Sequence, residues 1–483
     1  MNRKDKIIYF TLFIFSIISY LVLGDKSLPV LILSYMTILI KFIIKDMSKD
    51  FFSLSSLFII HYSMYLLYIP IKQLDKEYFV DWYYLAMDRG IGSKVMIICG
   101  IIAIISFICG QFIFECIKDK KLNSLKFINK FKTKIDYKGF NNLILRKLYD
   151  VKNIINVNSF SYFVIFVGTI FFISGIWKMG GIGYLISKYV WNSDKASEIG
   201  IMTTGIQIAF VGIAISFYLL LNKSAFKIKD LLKWPVSYIF IFLAGIKFIQ
   251  GGRIQVLMIC ITLVALYNYV YKKITLKQII IIGILGMILL GYIGYYRDFK
   301  TIIPADTLTM IKYMLGGSGG QEYFLNSYTN FTTIHVINTS DVSYLYGASL
   351  LDGLIFLIPR MFLGNKDQLL FINNKLAELN NIEIISPVGG LNLASQNLIN
   401  GNAIYTIIFM IVIGILFSYI RRYKEKSKYG VLLYSMLLPY LIISFIRNPM
   451  HYTIKEVIQF AIVPYIIFII LKAGECYKKK SSI

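Results

Sequence analysis

Three arginines that are far apart in the chain adjoin apolar segments and have side chains suited to binding phosphate. Arg253 follows two glycines between two apolar segments, Arg360 follows a proline, and Arg447 stands in the short stretch FIRNPMHYTIKE. A guanidinium group binds two phosphate oxygens at once, and a cation at a membrane surface is costly without an anionic partner. We therefore predict that Arg253, Arg360 and Arg447, together with Lys366, bind a pyrophosphate group on a lipid. The alternative for each arginine is a guanidinium that only extends to interfacial water.

Two histidines are candidates for a general base that removes a proton from a hydroxyl group. His335 and His451 fall in segments that we place on the outer face of a membrane, whereas His61 falls inside an apolar segment and is expected to pack there. Three carboxylates compete for the same role: Glu322, Asp352 and Glu456. No Asp-x-Asp pair occurs on the outer face, so we expect no metal site, and the sequence indicates no other cofactor.

The composition is that of a polytopic membrane protein. Hydrophobic residues make up 57% of the 483-residue chain, and the mean hydropathy is +0.66. These residues come in blocks long enough to cross a bilayer as helices. The net charge of +25 could indicate nucleic-acid binding, but clustering of Lys and Arg at the cytoplasmic ends of membrane spans explains it better. We therefore predict an all-α membrane protein that does not bind nucleic acid.

The apolar blocks predict about twelve transmembrane helices with both termini in the cytoplasm. The predicted spans are 7–23, 28–44, 51–70, 95–115, 159–177, 203–221, 235–250, 254–271, 278–296, 403–420, 430–446 and 457–473. They divide the chain into three parts: residues 1–296 with nine spans, an extracytoplasmic loop at 297–402, and residues 403–483 with three spans and a basic cytoplasmic tail.

The distribution of charge supports this arrangement. The predicted cytoplasmic loop 117–158 holds eleven Lys and Arg against three acidic residues, whereas the predicted outer loop 297–402 holds six against eight. This is the bias expected when basic residues stay in the cytoplasm. The basic loop could bind an acidic partner, but an amphipathic anchor on the membrane surface is the simpler interpretation.

The large outer loop contains apolar stretches that are too short or too interrupted to cross the membrane. Residues 345–364 are apolar but contain Gly353 and Pro359, which predicts a re-entrant or interfacial helix. Residues 367–380 have the spacing of a short helix lying over the membrane. The GGSGG stretch at 316–320 is not followed by the Lys-Ser/Thr of a phosphate-binding loop and therefore predicts a flexible hinge.

Two shorter outer loops, 75–90 and 180–200, combine acidic, amide and aromatic side chains. Aromatic faces beside carboxylates and amides suit sugar rings, because the ring C–H groups stack while the hydroxyls form hydrogen bonds. An interfacial helix is the alternative for both loops.

Four stretches of the chain resemble the Wzy-type bacterial polysaccharide polymerases, which polymerise lipid-linked repeat units of O-antigen, capsule or enterobacterial common antigen. They are FIQGGRIQV, YLYGASLLDGLIFLIPRMFLGNK, ISPVGGLNLASQNLINGNAIYTIIFMIVIGIL and FIRNPMHYTIKEVI. The resemblance covers roughly residues 250 to 459. The resemblance implies a GT-C-like glycosyltransferase of the bacterial cytoplasmic (inner) membrane. Its expected partners are undecaprenyl-pyrophosphate-linked oligosaccharides, membrane lipid and a membrane protein that regulates chain length.

The resemblance also implies a reaction and roles for the residues named above. The growing glycan would leave undecaprenyl pyrophosphate and join the incoming lipid-linked unit on the outer face of the membrane. The departing pyrophosphate would be stabilised by four cations: Arg253, Arg360, Lys366 and Arg447. The base that takes the acceptor proton would be one of three side chains: His451, His335 or Glu322.

Three other functions compete with this one. An O-antigen ligase-type enzyme would share the plan and the chemistry but transfer the chain to a different acceptor. A lipid-linked oligosaccharide flippase or other transporter would show two related halves, and we find no internal repeat. A structural or regulatory membrane subunit would not need arginines grouped at the outer face.

Overall fold

The computed structural model describes residues 3–23, 27–74, 91–118, 156–181, 183, 196–223, 226–249, 253–275, 277–286, 288, 318–339, 342–358, 360–363, 366–382, 391–427 and 429–481. The loop predicted at 75–90, most of 117–158 and most of 180–200 lie outside these residues, so the predictions made for them stay predictions.

The helices before the large loop are α1 (Arg3–Leu23), α2 (Leu28–Met47), α3 (Leu54–Lys72), α4 (Ile91–Lys118), α5 (Val157–Met179), α6 (Ala196–Leu221), α7 (Asp230–Lys233), α8 (Pro235–Ile249), α9 (Arg253–Leu266) and α10 (Lys277–Gly286). Helix α9 continues as a π-helical turn, Tyr267–Tyr271.

The helices that follow are α11 (Ser318–Thr339), α12 (Asp352–Leu357), α13 (Arg360–Leu363), α14 (Phe371–Ile382), α15 (Leu393–Lys426), α16 (Gly430–Pro439), α17 (Phe445–Arg447), α18 (Met450–Val457) and α19 (Val463–Ser481). Two 3-10 turns, Ala348–Leu350 and Lys366–Leu369, and two π turns, Tyr440–Ser444 and Ile458–Ile462, lie between them.

The prediction of a polytopic all-α membrane protein is confirmed. Among the described residues, nine helices are long and apolar enough to cross a membrane. The other three predicted spans overlap shorter apolar helices, Thr11–Leu23, Pro235–Phe248 and Lys277–Gly286. A span needs about 20 apolar residues when it crosses without help from its neighbours. The total of twelve spans, the GT-C-like character and the division at 297 and 402 therefore stay predictions.

The apolar stretch of the large loop is interrupted, but not at Gly353, which lies inside α12. Residues 345–364 form the 3-10 turn, α12 and α13 rather than one helix, and the helix predicted at 367–380 is present as α14. The flexible hinge predicted at 316–320 is wrong for residues 318–320, because they form the first turn of α11. Glycine disfavours a helix by only about 1 kcal/mol per residue, and the buried face of the rest of α11 outweighs that penalty.

The chain divides into two compact units. Unit 1 comprises Met1–Leu122, Gly320–Arg422 and Tyr440–Glu456, and unit 2 comprises Asn123–Gly319, Tyr423–Pro439 and Val457–Ile483. The predicted outer loop from residue 320 onward therefore packs in the same unit as α1–α4.

Unit 1 has an aromatic core and a close helix crossing. The rings of Phe58, Phe107 and Phe417 are buried, with centroids 5.0–5.7 Å apart. Helices α4 and α15 touch through glycines: a Cβ atom at Gly110 would lie 2.1 Å from the Ile411 carbonyl oxygen. Small residues let two helices approach until their backbones meet, which is how helices pack tightly inside a membrane.

One end of unit 1 is fixed by a half-buried carboxylate. Asp46, at the end of α2, forms an ion pair of 3.1 Å with Arg421 and accepts hydrogen bonds from Ser53 and Ser56 at the start of α3. The opposite end, which includes the end of α3 and the start of α15, carries a different set of polar side chains and is described below.

Unit 2 is built around the α5–α6 pair. A Cβ atom at Gly168 would lie 2.3 Å from the Ala209 backbone nitrogen, and one at Gly205 would lie 2.4 Å from the Phe172 nitrogen. Helix α9 packs on α16, where the Tyr269 and Tyr434 rings meet with their centroids 5.5 Å apart. These glycine contacts allow no larger side chain without separating the two backbones.

Candidate functional site

Unit 1 contains a group of buried carboxamide side chains at the end of the bundle where α3 ends and α15 begins. We call this group the amide seam. Its members are 7% exposed or less: Asn326, Asn330, Asn392, Gln396, Asn397 and Asn400. A buried amide costs free energy unless its donors and acceptors are paired. The partners of these side chains therefore show what the seam holds together and where it is open.

Two members of the seam fix the first segment of α15 to its surroundings. Gln396 accepts a hydrogen bond from the Met450 backbone N–H (2.8 Å) and donates one to the Ser349 hydroxyl (2.8 Å). Asn400 donates to the same hydroxyl (2.7 Å) and accepts from the Gly347 N–H (3.1 Å). The start of α18 and the turn before α12 are thus held by one helical segment.

That segment ends at a break in α15. Gly401 and Asn402 depart from helical geometry, and Asn402 has a φ of +54°, which separates 393–400 from 403–426. The predicted boundary between the outer loop and the span that begins at residue 403 stays a prediction. Broken backbone of this kind is tolerated at membrane depth only where protein or a watery cavity surrounds it.

Helix α11 supplies the facing side of the seam. Asn330 donates to the Tyr65 carbonyl (3.2 Å), and the Ser327 hydroxyl accepts from the Ile69 N–H (3.2 Å). Ile69 directly precedes Pro70, which lies inside α3, and Tyr65 lies five residues before that proline. Side chains from α11 therefore bind backbone groups in the last part of α3.

The seam is incomplete at Asn397. This side chain is 1% exposed, and neither its amide nitrogen nor its oxygen makes a regular hydrogen bond within the described part of the chain. The Tyr62 hydroxyl lies beside it, outside regular hydrogen-bond geometry. The Asn330 carbonyl oxygen is also without a hydrogen bond among the described residues. The site thus offers one donor group and two acceptor oxygens that no described residue pairs in a regular hydrogen bond.

The corner between α17 and α18 contains the predicted Arg447. Arg447 is half-buried, and the next residue, Asn448, donates to the Ser444 hydroxyl (3.1 Å). Ser444 in turn donates to the Glu456 carboxylate and lies 3.3 Å from the Thr453 hydroxyl. A guanidinium and a hydrogen-bonded carboxylate therefore belong to the same corner.

His451 lies in the same corner but is fully buried. Its ring packs against Phe356, with centroids 4.9 Å apart, and against Tyr452 at 4.5 Å. The Lys455 ammonium lies 4.9 Å from the centroid of the Phe356 ring. The contacts pack α12 against α18, so His451 has a clear structural role. Its predicted role as a base stays a prediction.

Asp352, a competing carboxylate, caps a helix. Its two oxygens accept the backbone N–H groups of Phe371 (2.8 Å) and Ile372 (2.9 Å) at the start of α14. Burial raises the pKa of Asp352 above its ordinary value, and the two hydrogen bonds oppose that rise. These bonds occupy a carboxylate whose charge also suits the positive end of a helix.

The remaining predicted site residues lie in helices or in a 3-10 turn. Arg253 begins α9 in unit 2, Arg360 begins α13 and Lys366 begins the second 3-10 turn. Glu322 lies in the first part of α11, and the side chains of all four lie outside the described part of the structure. His335 is half-exposed on the last part of α11. The convergence of the four cations on one group stays a prediction.

Inspection of single charged residues missed the amide seam. Asn392, Gln396 and Asn400 recur every four residues, a spacing that places three carboxamides on one face of a helix. Asn326 and Asn330 have the same spacing on α11. A polar face of this kind within a membrane protein was the signal that could have identified the site.

Comparison with known proteins identifies the family. The model of the family described as "O-antigen polysaccharide polymerase Wzy" matches residues 6–480, nearly the whole chain. No curated protein and no solved structure matches the chain. The chain belongs to the O-antigen polysaccharide polymerase Wzy family.

Proposed function

We propose that this protein is the glycosyltransferase that polymerises lipid-linked oligosaccharide repeat units at the outer face of the bacterial cytoplasmic membrane. The donor is the growing glycan on undecaprenyl pyrophosphate, and the acceptor is the incoming lipid-linked unit. Both termini of the chain lie in the cytoplasm in this arrangement. The observation that carries the proposal is the amide seam with its unused groups at Asn397 and Asn330.

The chemistry of a carboxamide suits a sugar. Each hydroxyl of a sugar both donates and accepts a hydrogen bond, and a carboxamide offers two donors and one acceptor oxygen. The unused groups at Asn397 are flanked by the Tyr62 side chain, and aromatic rings stack on the C–H faces of sugar rings. A substrate hydroxyl that entered here would pair buried groups that make no regular hydrogen bond within the described residues.

The leaving group of the reaction is an anion. As the acceptor oxygen bonds to the anomeric carbon, the bond from that carbon to the pyrophosphate oxygen breaks and negative charge develops on the pyrophosphate. A cation placed at that position stabilises the transition state. We assign this role to Arg447, in the corner next to the seam, and to Arg253, Arg360 and Lys366, as predicted from the sequence.

The acceptor hydroxyl must lose a proton to a base. Among the candidates, the Glu456 carboxylate is half-buried and belongs to the hydrogen-bonded corner of Arg447, whereas His451 is fully buried in an aromatic packing contact. We therefore place Glu456 ahead of His451, His335 and Glu322. A base has to come within hydrogen-bond reach of the hydroxyl it deprotonates, and a half-buried carboxylate meets this condition more readily.

The proposal is tested in a strain that lacks the chromosomal copy and expresses an epitope-tagged wild-type or Arg253→Ala chain at equal membrane level. Surface polysaccharide is then separated on a gel. Loss of the long-chain ladder with single repeat units still exported supports polymerisation with Arg253 in the mechanism. Loss of all surface glycan, single units included, contradicts a polymerase and indicates a flippase or a ligase.

A matched control is Arg422→Ala. The Arg422 guanidinium lies 6.0 Å from the centre of the Phe114 ring, at the end of α15 far from the amide seam. This variant is expected to keep the ladder. An unchanged ladder in Arg253→Ala would remove Arg253 from the reaction and leave an arginine that reaches interfacial water.

A further inference from the structure

Unit 2 contains an apolar groove that the polymerase reaction does not use. It has a volume of about 620 Å³ and is formed by α6, α7, α8, α9 with its π turn, and α10. Representative lining residues are Phe217, Leu232, Trp234, Ile241, Tyr267 and Ile281. A volume in this range is typical of pockets that take a small apolar ligand.

The rim of the groove is basic. Lys233 stands between two lining residues of the groove, Lys273 directly precedes the lining residue Ile274, and Lys277 directly precedes the lining residue Gln278. All three lysines are exposed. The acidic residue in this stretch, Asp230, accepts a hydrogen bond of 2.7 Å from the Lys227 backbone N–H. Three exposed lysines are therefore adjacent in sequence to residues that line the groove.

Tryptophan and tyrosine side chains indicate where this end of the groove lies relative to the lipid headgroups. Trp234 follows α7 and is 8% exposed, and its ring lies 5.7 Å from that of Phe217. Tyr267 and Tyr271, in the π turn, meet with their centroids 5.3 Å apart. Such residues are enriched at the level of lipid headgroups, where one part of the ring is in hydrocarbon and another is near water. The groove thus runs from the hydrocarbon region to the headgroup region.

We propose that this groove is a binding site for an anionic phospholipid, with an acyl chain along the apolar lining and the phosphate among Lys233, Lys273 and Lys277. Charge decides between anionic and neutral lipids, because a neutral lipid would fill the groove equally well. Each lysine near a membrane surface strengthens binding of an anionic headgroup by a factor of about five. In the predicted topology this end of unit 2 faces the cytoplasm, so the site is separate from the proposed glycan chemistry.

The proposal is tested by the fluorescence of Trp234. A variant with Trp82, Trp177 and Trp191 replaced by Phe is reconstituted in phosphatidylcholine–phosphatidylglycerol vesicles in which one or the other lipid carries brominated chains. Bromine quenches tryptophan on contact. We expect brominated phosphatidylglycerol to quench Trp234 more strongly than brominated phosphatidylcholine at equal mole fraction, with a relative association constant of about five or more.

Two charge-matched variants locate the headgroup. Lys233→Gln/Lys273→Gln/Lys277→Gln is expected to remove the preference for phosphatidylglycerol. Its control neutralises three exposed lysines outside the groove and is expected to keep the preference: Lys49→Gln/Lys223→Gln/Lys426→Gln. Equal quenching by the two brominated lipids in the parent variant overturns the proposal, because it indicates only lipid that surrounds any membrane protein. An equal loss in both triple variants also overturns it, because general surface charge then suffices.

A second measurement avoids the tryptophan replacements. Mass spectrometry of the wild-type chain released from detergent is expected to show retained phosphatidylglycerol and less of it in the Lys233/Lys273/Lys277 variant. Equal retention by both chains contradicts the proposal. Either result is independent of the polysaccharide ladder, so failure here leaves the proposed polymerase function intact.

Discussion

Replacing Asn397 by Leu is expected to stabilise the protein and to impair glycan polymerisation. Leu has the same branching as Asn but no donor or acceptor. In the folded protein, Asn397 is 1% exposed with both polar atoms outside any regular hydrogen bond of the described chain. Replacing a residue with an ordinary structural role would lower the stability of the protein. Higher stability combined with lower activity therefore distinguishes a substrate-binding residue from a structural one.

The expected changes in Tm and KM follow from the hydrogen bonds that the Asn397 carboxamide lacks in the free protein and would form with a sugar. A buried polar group without a partner costs about 1–3 kcal/mol, so its removal should raise Tm by roughly 2–6 °C. Two neutral hydrogen bonds to a sugar contribute about 0.5–1.5 kcal/mol each. Losing both weakens substrate binding by about 1–3 kcal/mol, which corresponds to an increase in KM of about 5- to 150-fold.

The assay combines thermal unfolding of the purified protein in detergent with extension of lipid-linked repeat units in isolated membranes. Asn374→Leu is the matched control, because Asn374 is an exposed asparagine on α14 of the same unit. It should change neither Tm nor KM. A lower Tm for Asn397→Leu, with activity falling only as far as the amount of folded protein falls, would refute the reasoning. So would an unchanged KM.

Three further changes test other parts of the structure. Arg447→Lys keeps the charge but loses bidentate binding, so the ladder should shorten nearly as much as in Arg447→Gln; full activity of the lysine variant would show that charge alone suffices. Gly205→Val should destabilise unit 2 by about 3 kcal/mol, because its side chain would meet the Phe172 backbone. Gly245→Ala, inside α8 with no atom within 4 Å of the added Cβ, should not lower Tm. Burial raises the pKa of Asp352, so the folded chain holds this proton more tightly than the unfolded chain. Its contribution to stability is therefore largest at acid pH and is lost as the pH rises through the folded pKa, and the Tm difference between wild type and Asp352→Asn should change across that window.

The broad architecture could be predicted from the sequence because hydrophobic length and the position of basic residues are strong signals in a membrane protein. The interruption of the apolar stretch 345–364 was predicted from local chemistry and is present, although Gly353 itself lies inside α12. The boundary before residue 403 stays a prediction. Helix α11 was not predicted, because its buried residues mix Ser, Thr and Asn with apolar side chains such as Phe331 and Ile334. The pattern that normally reveals a helix is a continuous hydrophobic stripe, and the polar residues interrupt it here.

The candidate site was predicted only in part, for a related reason. Arg447, His451 and Glu456 attract notice because a charge or an imidazole at a membrane boundary is rare. Carboxamides do not, since one asparagine in a loop has many ordinary explanations. Their significance depends on burial and on the partners they have, and both become known only when α11, α15 and the α17–α18 corner are placed together in unit 1.

The arrangement of the amide seam explains why a glycan site inside a membrane bundle would use carboxamides rather than charges. An unpaired buried charge is far more costly than an unpaired amide, and it would shift its pKa or draw in water when no substrate is present. Gln396 and Asn400 show the paired state, with each carboxamide bound to both a donor and an acceptor of the fold. Asn397 lies on the same helical segment, and no described residue pairs its carboxamide in a regular hydrogen bond. In the proposed function, a substrate hydroxyl forms at Asn397 the hydrogen bonds that the fold itself supplies to Gln396 and Asn400.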